Sequence, residues 1–196
     1  MEGIIKYNVD WDNSKNILEL EYQKINPIRD FAFRKKLIGI GVDGVGYGNI
    51  SFRINSTNKF IISGSATGGK SKLDIIDYSK VISFNINNNY IRCVGGSIAS
   101  SESLSHAAIY KAKKEINAVL HFHNNEIWKR NIDKIPTTDN YAEYGTPQMA
   151  ISISKIIENE NDTNGTIIMR NHQDGVIIYS EKIESLMKAV TDLLIL

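Results

Sequence analysis

Cysteine is almost missing from this chain: Cys93 is the only one in 196 residues. No disulfide can form within the chain, which excludes the cross-linked scaffold of a small secreted domain. Proline is scarce as well, at Pro27, Pro136 and Pro147 alone, and no Ser/Gly-rich tether or low-complexity tract divides the sequence into parts. There is no apolar run near the length of a membrane span, and Met1-Glu2-Gly3 does not begin a basic segment followed by an apolar one. Neither a membrane span nor a signal peptide is expected, and a cytoplasmic location is the reading that follows. Charge of one sign is not in excess either. Lys and Arg number 23 against 22 for Asp and Glu, a formal net charge of +1. With no long basic run, nucleic-acid binding is not expected.

What is present is an ordinary globular composition, 42% hydrophobic and 23% charged, at a length suited to one domain spanning 1–196. Residues 3–8 form a candidate first strand. Pro27 fits the first position of a helix through about Leu37, which the Gly-rich stretch Gly39 to Gly48 ends. Short β-rich runs follow near 49–54 and 59–63, then a Gly/Ser/Lys loop from Ser63 to Lys72. Strands near 80–86 and 90–94 flank an Asn-rich turn. A helix over 102–115 places Leu104, Ala107, Ala108 and Ala112 on one face, with Ser101 as its N-cap. Ile116 to Phe122 reads as a buried strand. Thr146-Pro147 is an N-cap followed by proline at the first helical position, opening a helix to about Glu158. Strands near 166–170 and 176–179 surround a polar turn, and a helix from Glu181 closes the chain with Leu186, Val190 and Leu193 on its apolar face. The sum is an α/β chain with a mostly β centre and helices on its flanks.

The sharpest chemical signal is His121-Phe122-His123. Residues two apart in a strand point to the same face, so both imidazoles can reach one ion. Catalytic zinc takes three protein ligands and leaves a position open, and the chain has two other histidines, His106 and His172. His172 ends a strand just before a polar turn, whereas His106 lies four residues after Glu102 on the same helix face. Ser100-Ser101-Glu102 stands at the predicted N-terminus of that helix. There it is either a capping sequence or, with unpaired amides and the helix dipole, an anion site. Gly48-Asn49-Ile50-Ser51 and Ser63-Gly64-Ser65-Ala66-Thr67-Gly68-Gly69-Lys70 are either plain turns or loops that let the backbone approach a ligand. The second of these could be a phosphate-cradling nest with an ammonium nearby. Its spacing is not that of a nucleotide P-loop.

In this order, Gly48-Asn49-Ile50-Ser51, Ser63-Gly64, Ser100-Ser101-Glu102 with His106, His121-Phe122-His123, and His172 before Gly175, the segments resemble the class II aldolase/adducin family over about residues 30–195. The resemblance implies a single domain with a central, mainly antiparallel sheet flanked by helices in three layers. It implies a homotetramer with sites at subunit interfaces. The family's zinc histidines correspond to His121, His123 and His172, with Zn2+ or another divalent transition metal bound there. Its catalytic glutamate corresponds to Glu102, which also ligates the metal when substrate is absent. Its phosphate-binding residues correspond to Gly48, Asn49, Ser63, Gly64, Ser100 and Ser101. The implied activity is cleavage of a ketose 1-phosphate into dihydroxyacetone phosphate and an aldehyde. Alternatives on the same metal site are a pentose-phosphate 4-epimerase or a methylthioribulose-phosphate dehydratase. A different class, the non-catalytic interaction module of adducin, lacks the metal ligands. This chain departs from the family where Gln173 and Asp174 separate His172 from Gly175, and where Tyr141 and Tyr144 both stand in the segment in which some members place a catalytic tyrosine.

Overall fold

Alternation of side chains along the strands sets the layers of this protein. The computed structural model describes residues 4–14, 17–42 and 44–195. In chain order the elements are β1 (Asn8–Asp12), α1 (Glu19–Arg34), β2 (Gly39–Ile40), β3 (Gly46–Tyr47), β4 (Asn49–Arg53), β5 (Phe60–Ser63), β6 (Tyr78–Asn85) and β7 (Tyr90–Gly95). They continue with α2 (Ser103–Ala112), β8 (Ala118–His123), α3 (Asn125–Asn131), α4 (Pro147–Asn159), β9 (Gly165–Ile168), β10 (Gly175–Ser180) and α5 (Ser185–Ile195). One eight-stranded sheet runs β1-β7-β6-β5-β4-β8-β10-β9, and β2 pairs with β3 as a separate hairpin. Every neighbouring pair in the large sheet is antiparallel except β1 with β7. The protein is therefore a single α/β domain with a mixed, mainly antiparallel central sheet, as expected.

Each face of that sheet carries its own core. Phe60, Ile62, Val119 and Ile177 pack with Leu104, Ala107 and Ala108 of α2 and Met149, Ile153 and Ile157 of α4. The alternate residues Ile61, Leu120, Phe122 and Ile178 pack with Ile25 and Ile28 of α1, Ile127 of α3 and Leu186 and Val190 of α5. A strand buried on both faces reads as a nearly continuous apolar run, and β8 is such a strand. His121 and His123 interrupt the row that Val119 begins. They therefore emerge on the α2/α4 side, while Phe122 fixes the strand from the other side.

Three local expectations are corrected. The first strand is Asn8–Asp12 and not 3–8; Met1 to Gly3 lie outside the described residues. Its place is held by Trp11, whose indole N–H donates to the Gly95 carbonyl at 2.9 Å, and by parallel pairing with β7. Pro27 does not open α1 but sits inside it, the helix beginning eight residues earlier at Glu19. The Glu21 carboxylate caps that start by accepting from Leu18 N–H at 3.0 Å. An interior proline costs about 3 kcal/mol. Burial of Ile25, Ile28 and Ala32, at about 25 cal/mol per Å² of apolar surface, outweighs it. Ser101 does not cap α2, whose first residue is Ser103 with Glu102 at the cap position. The Ser103 hydroxyl instead donates to Ser100 O at 2.6 Å, closing a tight turn around Ser100–Glu102. At α4 the expectation holds: the Thr146 side chain accepts from Met149 N–H, and Pro147 is the first helical residue.

Candidate active site

Antiparallel pairing in the middle of the sheet brings the chemical residues together. Asn49 of β4 lies opposite His121 of β8, and Gly175 at the start of β10 lies opposite His123. His172 belongs to the turn between β9 and β10. That turn is closed by Met169 N–H to Gly175 O (2.9 Å), His172 N–H to Met169 O (3.2 Å) and Gly175 N–H to His172 O (2.8 Å). Gln173 and Asp174 thus loop outward, and Gly175 still lies against the His172 ring, where a Cβ would come within 3.1 Å of the imidazole. The turn is also tied to the end of β8: Asn124 N–H donates to Asp174 O and the Asn125 side chain to the Asp174 carboxylate.

His121, His123 and His172 each offer a nitrogen, and the three nitrogens lie within 4.8 Å of one another. His123 Nε2 and His172 Nε2 are 3.1 Å apart, close to the roughly 3.3 Å between two ligands of a tetrahedral zinc ion with bonds near 2.0–2.1 Å. Nδ1–H of His121 donates to the Val176 carbonyl at 3.2 Å, which leaves the Nε2 lone pair for a ligand. That Nε2 is buried with no partner among the described residues. Burial, then the neighbouring His172 and His123, holds His121 well below the ordinary histidine range, so it is the neutral imidazole that a metal requires. The residues present therefore fit a divalent transition metal, and the chemistry of the set does not choose among such ions.

Glu102 is 2% exposed and stands between this triad and a small polar recess. Its Oε2 accepts from the Ser105 hydroxyl at 2.7 Å. Its Oε1 is buried without a hydrogen bond and lies 3.9 Å from His172 Nδ1. The recess is lined by Gly48, Asn49, Gly64, Ser100 and Ser101 together with Glu102. Gly48 has φ +77°, and a Cβ there would fall 2.8 Å from Ile38, so only glycine turns the chain correctly into Asn49. A roomier cleft, about 500 Å³ beside Lys59, Phe84 and Lys111, contains none of the candidate residues.

Two placements differ from expectation. Ser63 does not face the recess; its hydroxyl accepts from Ile50 N–H at 3.2 Å and holds β4 against β5. The rest of the expected loop, Gly64, Ser65, Ala66, Thr67 and Gly68, does line the recess, with Ala66 in a left-handed conformation at φ +60°. Lys70, the ammonium expected beside that loop, is ion-paired with Asp77 at 2.6 Å. The run Phe60-Ile61-Ile62 carries through to Ser63 and makes it the last residue of β5. Of the two tyrosines, Tyr144 packs its ring on His172 at 4.8 Å between centroids, whereas Tyr141 is exposed.

His106, the alternative third ligand, is not part of the triad. It is fully buried beneath the site, with Nδ1 2.7 Å from the Ser51 hydroxyl, which is itself 2.7 Å from the Tyr110 hydroxyl. Burial pushes it down to about 3, so it is neutral in the folded protein. Below pH 6.5 the unfolded chain takes up the proton first; the stability His106 contributes is complete above that value and is lost as pH falls toward 3. From about pH 7.5 to about pH 5 this amounts to roughly 2 kcal/mol. His106→Gln keeps a partner for Ser51, and denaturant titrations of the metal-stripped protein are expected to show that acid loss reduced by this amount. An unchanged acid limb would mean that His106 is protonated in the fold.

Comparison with known proteins bears on the family and the fold. Residues 32–128 match the family described as the class II aldolase and adducin N-terminal domain. No curated protein sequence matches the chain. Among solved structures, an L-fuculose 1-phosphate aldolase superposes with a TM-score of 0.69 at 19% identity, covering 92% of this chain and 84% of its own. YgbL of Escherichia coli, whose reaction is left open between aldolase, epimerase and decarboxylase, superposes with a TM-score of 0.65 at 15% identity over 89% and 84% of the two chains. L-fuculose-1-phosphate aldolase from Thermus thermophilus gives 0.59 at 17% identity over 89% and 92%. At such identities the likeness is one of fold, and it extends well beyond the matched segment. With residues 32–128 supplying the centre of the sheet, Glu102 and the His121/His123 strand, this chain belongs to the class II aldolase and adducin family.

Proposed function

We propose that the protein is a zinc-dependent lyase that cleaves a ketose 1-phosphate into dihydroxyacetone phosphate and an aldehyde. The observation that carries this reading is the position of Glu102, which lines the polar recess and reaches to 3.9 Å from His172. A phosphate in the recess and reacting carbons beside the histidines are then served by one carboxylate.

The recess offers donors of the kind a phosphate takes. Ser100 and Ser101 are almost fully buried at the N-terminal end of α2, where the helix dipole favours an anion. The backbone amides of Ala66, Thr67 and Gly68 donate to no acceptor among the described residues, and successive free amides around a left-handed residue form an anion-binding concavity. His121, His123 and His172 are the residues that hold the metal, with Glu102 as a further ligand when substrate is absent. A bound divalent cation supplies Lewis acidity to the carbonyl and hydroxyl oxygens of the ketose. In the cleavage, the bond between the third and fourth carbons breaks with its electron pair left on the third carbon, the fourth-carbon hydroxyl gives its proton to solvent and becomes the aldehyde, and the third carbon takes up a proton that solvent restores to Glu102. Glu102 Oε1, unpartnered and inside the site, delivers that proton. A cytoplasmic homotetramer is the assembly we assign to the protein.

The test is product analysis of the zinc-loaded protein with a panel of ketose 1-phosphates. Dihydroxyacetone phosphate, released in step with an aldehyde and abolished by chelation, is the expected result. A sugar phosphate altered in configuration, or one that loses water without fragmenting, would replace the lyase with an epimerase or a dehydratase. A protein that takes up no metal and turns over nothing would be the non-catalytic module.

A further inference from the structure

The loop that lines the recess is held from behind by a residue of α1. Arg29 is 1% exposed, yet its guanidinium meets no carboxylate at hydrogen-bond distance; the Asp30 carboxylate is 3.6 Å away. Its N–H groups donate instead to loop carbonyls: Ser71 O at 3.3 Å, Thr67 O at 3.2 Å, Gly68 O at 3.4 Å, and Lys70 O. A buried cation satisfied almost entirely by carbonyls of a single loop is an unusual use of arginine, which is otherwise placed to pair with carboxylate or phosphate.

The planarity of the peptide bond gives this arrangement a direction. The carbonyl of one residue and the N–H of the next point to opposite sides of their shared peptide plane. Thr67 O and Gly68 O on Arg29 therefore turn Gly68 N–H and Gly69 N–H away from it. Neither amide has an acceptor among the described residues, and Gly68 lines the recess. Glycine keeps the Gly68 amide accessible on its other flank, because a Cβ at Gly46 would sit 3.1 Å from Gly68 N. The guanidinium also polarises these peptide groups through their carbonyls and so strengthens their N–H groups as donors. Lys70, the cation within the loop, is held by Asp77. Arg29, with the Asp30 carboxylate 3.6 Å away, is the cation whose N–H groups bind the carbonyls of the loop.

We infer that Arg29 is a positioning residue for the substrate's phosphate: it makes no contact with the ligand and acts by orienting and charging the 67–71 loop. This rests on reading the recess as the phosphate site, and the test separates the two. Inorganic phosphate is titrated into zinc-loaded wild-type protein and into Arg29→Met and Arg29→Lys, with metal content and thermal midpoint recorded for each. Phosphate is expected to bind the wild type, and Arg29→Met, with its metal retained, is expected to bind it about tenfold more weakly or worse, the scale of one lost charge-assisted interaction. Arg29→Lys keeps the charge but reaches fewer carbonyls, and its affinity should lie between the two. With a turned-over ketose phosphate, KM rises in the same order while kcat moves by less than about threefold, a split that general loosening of the fold does not produce.

Wild-type protein that binds no phosphate would overturn the phosphate reading and this inference with it. Phosphate binding by the wild type that is matched within about twofold by a folded, metal-loaded Arg29→Met would overturn the inference alone. If Arg29→Met does not fold, Arg29→Lys decides: affinity and KM equal to wild type would sink the role assigned to Arg29.

Discussion

Replacing His121 and His123 together by alanine is expected to empty the metal site, taking bound transition metal from about one ion per chain to less than about a tenth of that. Turnover of any sugar phosphate should fall with it to the background of the assay, a loss of about 10⁴-fold or more, since charge stabilisation at the substrate oxygens is lost altogether. Two of the three nitrogens come from one strand, so the double variant leaves only His172 and the Glu102 carboxylate, too few ligands to hold the ion. The fold should persist. Val119 on one face, with Leu120 and Phe122 on the other, remains buried in β8, and the pairing with β4 and β10 is through backbone. Elemental analysis beside a thermal melt checks both parts. Metal retained in a folded double variant would mean that the ion sits elsewhere, and a wild type that takes up no metal even when zinc is supplied would remove the catalytic reading.

The residues of this site were legible where local rules and pattern coincide. Histidines two apart in an apolar run can only share a face if the run is a strand, and β8 is one. Thr146-Pro147 carries its own capping chemistry, and the structure shows the cap. Elements set by distant partners were less visible. Pro27 reads as a helix start on local grounds, and only the burial of Ile25 and Ile28 under the sheet explains a helix that runs through it. That Ser63 belongs to the strand and only Gly64 to Gly68 of the expected loop reach the recess depends on where β5 ends, a boundary that pairing with β4 and β6 decides. α3 is seven residues long, too short for a helical period, and is fixed by the Asn124 cap and by Ile127. The tie between Arg29 and the 67–71 loop spans about forty positions and has no motif. Tyr144 was one of two candidates in a segment with no period, and its contact with His172 comes from the third dimension.

Glu102→Gln is expected to separate binding from chemistry. The substitution conserves shape, and its amide oxygen can still accept the hydrogen bond that the Ser105 hydroxyl now gives to Oε2. The three histidines are untouched, so the protein should keep about one metal ion per chain, and the phosphate recess loses only a charge that faces the histidines. What the variant cannot do is carry a proton, because an amide is neither acid nor base in the working pH range. Loss of a positioned general acid/base reduces the rate by about 10²- to 10⁴-fold, and here the loss should fall on kcat with KM little changed, the mark of a group used in the transition state. Had Glu102 served only as the cap of α2, the same change would cost stability and leave kcat nearly intact. The placement argues against that reading, since at its cap position the Glu102 side chain makes no capping hydrogen bond and directs a buried, unpartnered oxygen toward His172. A variant that binds metal and phosphate and still turns over at the wild-type rate would take the acid/base role from Glu102. The next group to test is Tyr144, which already lies against the third histidine.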